Sequence, residues 1–298
     1  MAPVLMGFGL MSEPQLETRI QVNQGCRTPE GQVVWRLAAQ AGPIIKKLLR
    51  RSIVSFVQER ARLSIKNILL ATKPSESSEA ILAYVVGLSR RYGASIFLAD
   101  VISPEAISEI VSNLEVDLVV VATGQRLREL GTPSIAEDIL PMVPCPVLII
   151  GPAVTYTELA RKALERIAYI TDFSTSSLEA LPYAVALAQD NEAQLALVHV
   201  AEETTMGPFH YGNPRNVIFR KRLESLLGAI PGFFCKPEFI VEYGDRAKGL
   251  VRVAANVKAS LIVMSARGIS ATVSARVSWF VGGQIVCHAH CPVLMVYG

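Results

Sequence analysis

The sequence lacks most features that announce a function. No uninterrupted apolar run in its 298 residues approaches the ~20 that a transmembrane helix needs. Opposite charges nearly cancel, 29 Lys and Arg against 26 Asp and Glu. The resulting net charge of +3 is too small to argue for a nucleic-acid partner. The five cysteines (Cys26, Cys145, Cys235, Cys287 and Cys291) show no metal or redox spacing, and their odd number fits a reducing cytoplasm. Residues 1–11 are apolar but lack the basic start and small-residue cleavage site of a secretory leader. No Cys/His ligand cluster, Gly-x-Ser-x-Gly elbow or Walker loop occurs, so no metal, no catalytic residue and no enzymatic role is expected. Four histidines are present. His199 is expected at the end of a buried strand, facing a crevice. His288 and His290 flank Ala289 near a helix end and do not converge on one ion.

What the sequence does hold is a repeat. Thr72, Ser75, Ser77, Ser78, Leu82, Tyr84, Val86, Leu88, Ala94, Leu98 and Val101 recur as Thr171, Ser174, Ser176, Ser177, Leu181, Tyr183, Val185, Leu187, Ala193, Leu197 and Val200, all at an offset of 99. Asp117-Leu118-Val119-Val120 then faces Ser260-Leu261-Ile262-Val263 at an offset of 143. Cys145-Pro146-Val147-Leu148 faces Cys291-Pro292-Val293-Leu294 at an offset of 146. Two copies of one unit stand in tandem, and the second carries 44 extra residues in its middle, about one helix and one strand. A chain that is 51% hydrophobic and 18% charged reads as globular α/β rather than disordered.

Short apolar runs alternate with helical spacing. Strands are expected at Ile65–Ala71, Ser95–Val101, Asp117–Ala122 and Val147–Ile150, with helices at Ser75–Arg91 (Ser75 as N-cap), Pro104–Leu114 and Ser134–Pro141. The second copy gives strands at Arg166–Thr171, Gln194–Val200, Glu238–Tyr243, Leu261–Ser265 and Val293–Val296. Its helices are expected at Ser176–Gln189, Arg215–Leu227, Ala247–Val257 and Val281–Cys287. Apolar strands alternating with helices imply parallel sheets covered on both faces. Cys145 and Cys291 each precede a proline and a buried strand, and read as equivalent, unpaired core thiols.

Four segments then resemble one family. ITDFSTSSLEALPYAVALA (170–188) is similar to the start of a universal stress protein domain, and VEYGDRAKGLVRVAANVKASLIVMSARG (241–268) with VCHAHCPVLMV (286–296) to its end. SIAEDILPMVPCPVLII (134–150) is similar to the same end in the first copy. The resemblance covers residues 65–298. It implies two tandem doubly wound parallel-sheet α/β domains of universal-stress (adenine nucleotide alpha hydrolase-like) type, the first lacking one internal helix-strand unit. The expected layout is an N-terminal strand and basic helix over 1–64, a shortened first domain over 65–152, a linker over 153–165 and a second domain over 166–298. The family also implies self-association through the C-terminal strands. Many members bind ATP and many do not.

The resemblance places an Asp after the first strand, against the adenine and ribose. That position is Asp172 in the second copy and Lys73 in the first; an Asp accepts from amino and hydroxyl groups, whereas a Lys only donates. The alternative for Asp172 is an acid at a helix N-terminus, facing the dipole. Binders hold phosphate in a glycine loop, where small residues admit the anion to backbone amides. The second copy keeps only Gly268 of the first glycine pair, and its later glycine-serine slot falls at Ser278-Trp279 or Trp279-Phe280. The first copy keeps Gly124, Gly131 and Ser134; Arg126 and Arg128 can meet phosphate or stand as a solvated surface. The candidate nucleotide-binding residues are therefore Thr171, Asp172, Ser174, Val200 and Gly268 in the second copy, with Thr72, Gly124, Arg126, Gly131 and Ser134 in the first. The ligand is ATP or another adenine nucleotide. The Ser-Gly-Gly-x-Asp-Ser loop of related adenylating enzymes is absent.

Before the first copy, Thr18–Val22 and Val34–Gln40 are similar to Phe239–Tyr243 and Leu250–Asn256, a strand and helix of the kind the first copy lacks. Thr18–Val22 is thus expected to pair beside Ile96–Val101. Pro43 then opens a helix to Arg60 with Ile44, Ile45, Leu48, Leu49, Ile53, Phe56 and Val57 on one face and Lys46, Lys47, Arg50 and Arg51 on the other. This helix either packs on its own domain or meets a membrane surface or acidic partner. The sequence supports a cytoplasmic stress-response regulator or sensor, with a partner-binding or dimerising scaffold and a weak ATP hydrolase as the alternatives.

Overall fold

Aliphatic, largely β-branched runs such as Leu118–Ala122 (LVVVA) and Val147–Ile150 (VLII) have no polar face to offer water, so they form strands buried on both sides. The computed structural model describes residues 63–71, 78–99, 103–123, 135–160, 164–201, 214–227, 236–266 and 275–297. Among these, nine strands form one sheet: β1 Asn67–Ala71, β2 Ser95–Ala99, β3 Leu118–Ala122, β4 Val147–Ile150, β5 Arg166–Ile170, β6 Gln194–Ala201, β7 Glu238–Tyr243, β8 Leu261–Ser265 and β9 Val293–Val296. The helices are α1 Ser78–Tyr92, α2 Pro104–Asn113, α3 Ile135–Ile139, α4 Tyr156–Ala160, α5 Thr175–Glu179, α6 Leu181–Asp190, α7 Pro214–Leu227, α8 Arg246–Asn256 and α9 Ala275–His288.

The sheet order is β2-β1-β3-β4-β9-β8-β5-β6-β7. Every pairing is parallel except β4 with β9. Read outward from that antiparallel seam, the two halves carry equivalent strands in the same order, and the second adds β7 at its edge. In the seam Leu148 sits opposite Leu294. These are the repeat equivalents, so an internal pseudo-twofold passes through this pair. The tandem copies thus share one sheet, joined through the last strand of each.

Alternate residues of each strand face opposite cores. Leu69, Val119, Ile149, Ala168 and Ile262 lie under α2, α3, α8 and α9. Ile68, Val120, Leu148, Tyr169 and Val263 lie under α1, α4, α6 and α7. Both cores run through both halves. Gly151, just past β4, permits this: a Cβ there would lie 1.9 Å from the Val286 carbonyl oxygen of α9, so only glycine lets the first half approach the last helix.

The core thiols stand in equivalent places. Cys145 and Cys291 are buried and free, and the prolines after them accept equivalent bonds, Val119 N–H to Pro146 O at 3.1 Å and Ile262 N–H to Pro292 O at 3.0 Å. Burial pushes both thiols up to about 12.

Two helices differ from expectation. The helix expected over Ser176–Gln189 is two, broken at Ala180, because Pro182 has no N–H to give Leu178 O and its ring crowds that carbonyl. The helix expected at Val281–Cys287 begins six residues earlier, at Ala275. Gly282 and Gly283, each costing about 1 kcal/mol in a helix interior, are outweighed by burial of Ile285 and Val286. Thr18–Val22, Val34–Gln40 and the 43–60 stretch lie outside the described residues, as does the proposed N-cap Ser75.

Candidate functional site

In an open parallel sheet, ligands sit beyond the carboxyl ends of the strands where the order reverses. In the second half the chain runs from β5 outward to β6 and β7, then returns to β8 on the other side of β5. The reversal point is therefore the carboxyl end of β5, where residues 171–174 emerge.

That turn is held by its own side chains. Thr171 is buried, and its N–H donates to Val198 O at 3.0 Å. Its hydroxyl accepts from Phe173 N–H at 2.9 Å and lies 2.9 Å from Ser177 Oγ. Ser177 Oγ donates to Ser174 O at 2.9 Å, so the proton between the two hydroxyls comes from Thr171. Tyr169 Oη, on the strand below, donates to Ser177 O at 2.7 Å. Asp172 Oδ1 accepts from Ser174 N–H at 2.9 Å, an Asx turn that does not use its other oxygen. Ser174 N-caps α5, accepting from Ser177 N–H at 3.1 Å. Phe173 takes φ +63°, a left-handed value uncommon for a bulky side chain, and the surrounding bonds hold it there.

A second layer backs the turn. His199 Nδ1 lies 2.9 Å from Thr171 O. A carbonyl only accepts, so Nδ1 carries the proton and Nε2 is the acceptor of a neutral ring. Burial holds the imidazole below the ordinary histidine pKa, and the positive charge of Arg222 adds to this, against the opposing bond to Thr171. The ring packs beside the stacked pair of Phe173 and Phe219, with centroids at 4.5 Å and 4.7 Å and both contacts tilted by 44°. Arg222 stands 4.2 Å over the Phe173 ring. His199 is thus turned towards α7, two residues before the end of β6, with Nδ1 bonded to Thr171 O and the ring against Phe173 and Phe219, rather than the strand's last residue facing an open crevice. Val200, its neighbour, points to the other face, where the absence of a side chain on Gly249 lets α8 lie close; a Cβ there would be 3.1 Å from Val200 Cγ1.

Of the sequence candidates, Thr171, Asp172, Ser174 and Val200 come together around the ends of β5 and β6. Gly268, Thr72, Gly124, Arg126, Gly131 and Ser134 lie outside the described residues. Ser278, Trp279, Phe280, Gly282 and Gly283 lie in α9 rather than in a loop. Thr123 N–H to Ile150 O (3.0 Å) and Ala266 N–H to Val296 O (2.8 Å) place the residues just past β3 and β8 equivalently in the halves. Sequence reading missed Phe173, Phe219 and Arg222. The i, i+3 pair on α7 is the only local signal, and nothing in it says which strand it meets. Among the described residues, no group of three His, Cys, Asp or Glu side chains can hold a metal, and no helix is long and apolar enough to cross a membrane.

The fold agrees with known proteins. A universal stress protein from Archaeoglobus fulgidus DSM 4304 matches with a TM-score of 0.52 at 15% identity, over 86% of this chain and 93% of that one. A functionally unknown protein from Pseudomonas aeruginosa PAO1 matches at 0.49 and 16% identity, over 86% and 88%. A universal stress protein in complex with cAMP matches at 0.35 and 24% identity, over 45% of this chain and 98% of that chain. No curated protein sequence matches. Residues 163–297 match the model of the Universal stress protein family.

Proposed function

We propose that the second half binds an adenine nucleotide at the carboxyl end of β5, in a stress-response sensor whose role is binding rather than catalysis. The observation that supports this reading is the placement of Asp172. It stands at the point where the strand order reverses, with Oδ1 fixed by Ser174 and Oδ2 available to a ribose hydroxyl or an adenine amino group. The residues present fit the base and ribose end of such a ligand. Thr171 and Ser174 fix the turn, and Val200 supplies an apolar wall. The phosphate end would fall to the 267–274 stretch and the start of α9. Self-association and a cytoplasmic setting belong to the same proposal.

Titration calorimetry of the full chain with ATP tests it, alongside mass spectrometry of nucleotide released by heat. Binding is expected to weaken roughly tenfold or more in Asp172→Ala, since one buried hydrogen bond is worth about 1–3 kcal/mol. No heat with ATP, ADP or AMP, and no released nucleotide, would leave the partner-binding scaffold as the reading.

A further inference from the structure

On the face opposite α8 and α9, α1 and α6 lie side by side and leave a groove between them, at the amino ends of the strands. It encloses about 440 Å³, including the part open to solvent. Its walls come in repeat-related pairs, Tyr84 with Tyr183 and Leu88 with Leu187, and its floor is the seam pair Leu148 and Leu294. The groove therefore straddles the internal pseudo-twofold.

The symmetry says what belongs over it. In the second half, α4 is the segment that leads into the first strand. It packs on α1 of the first half and buries Leu159 in the shared core. The pseudo-twofold carries that arrangement onto a segment leading into β1 and packing on α6 of the second half. The sequence keeps the correspondence: Glu158-Leu159-Ala160-Arg161 matches Glu59-Arg60-Ala61-Arg62 at the offset of 99. The match loses one apolar anchor, since Leu159 faces Arg60. The first half has a longer amphipathic stretch instead. The rim is also asymmetric. Leu63 lines the groove, whereas its repeat equivalent is Lys162, so the apolar wall extends on the side from which the 43–60 stretch arrives.

We propose that residues 43–60 dock in this groove as a helix, setting Leu48, Ile53 and Phe56 against α1 and α6 and turning Lys46, Lys47, Arg50 and Arg51 outward. The occupant is this chain's own segment because the described chain begins at the rim with Leu63, three residues after it, because its apolar side chains match the apolar lining, and because α4 is a symmetry-related precedent. The proposal does not depend on nucleotide binding.

The test is hydrogen exchange on the full chain. Leu48→Glu with Phe56→Glu is expected to speed exchange at amides 88–92 and 183–187 at least tenfold, with β8 unchanged. Lys47→Glu with Arg51→Glu, on the opposite face, is expected to leave them alone. Should the double variant unfold, Leu48→Ala gives a smaller rise at the same amides. Unchanged exchange in all variants would overturn the proposal. So would a shift from dimer to monomer in the Leu48/Phe56 variant, which assigns the groove to a second copy. Binding of the native chain to phosphatidylserine vesicles, lost in that variant, would overturn it in favour of a membrane surface.

Discussion

Leu98 and Leu197 occupy the same place in the two halves and meet opposite fates. Leu98, on β2 at the edge of the sheet among the described residues, is 68% exposed; Leu197, on β6, is 0% exposed. Both strands pair in parallel over five residues with the first strand of their half. What differs is the 44-residue addition, which lays β7 along β6 and α7 over it. A side chain's burial here is decided by the presence of a neighbouring layer, not by its own strand. The same addition brings Phe219 and Arg222 to the β5 turn, so the added layer also braces the candidate site.

The largest expected effect tests that contrast directly. Leu197→Ala should cost about 2–5 kcal/mol by denaturant unfolding, and Leu98→Ala no more than about 0.5 kcal/mol. Equal costs would mean that a segment outside the described residues covers Leu98 as β7 covers Leu197.

A smaller effect concerns the strand below the turn. Tyr169 is fully buried and donates to Ser177 O, while its counterpart in the first half is Leu70, which has nothing to donate. Tyr169→Phe should lower stability by about 1 kcal/mol and loosen ligand binding at Asp172 if the network positions that turn. Unchanged stability would show that the Ser177 carbonyl, which also accepts from Ala180 N–H, is satisfied without the tyrosine.

The smallest is a pH slope. His199 faces Phe173 and Phe219, with the charges of Arg222, Arg246 and Asp172 around it. Its folded pKa is depressed by burial, so the unfolded chain takes up this proton first as pH falls. The stabilisation is therefore full above the ordinary histidine value of about 6.5 and is lost as pH drops from there through the folded pKa. One proton limits the slope to about 1.4 kcal/mol per pH unit. His199→Gln should flatten that part of the stability–pH curve, and an unchanged curve would show that another group sets it.

Much of the fold was legible because its signals are local. The repeat, here at an offset of 146, paired Cys145 with Cys291 in kind through their Pro-Val-Leu neighbours, and apolar runs marked β4, β7, β8 and β9 to the residue. Pro182 carried the helix break at Ala180 in plain view. The start of α9 was not legible, because Gly282-Gly283 reads as a breaker when the burial of Ile285 and Val286 is unknown. In the site, Asp172 could be placed from T-D-F-S and the end of an apolar run, whereas His199 could not be assigned its partners.

The sequence by itself determined the repeat, the nine strands found among the described residues, the alternation of their side chains between two cores and the position of the acidic turn. These follow from spacing and side-chain shape within a few residues. Only the tertiary structure decided that the copies meet at β4 and β9, that Gly151 must admit α9, and that Phe219 closes on His199. It also decided that α1 and α6 leave a groove on the seam. Each of those contacts joins residues far apart in the chain, and its energy lies in surface that exists only once both partners have folded.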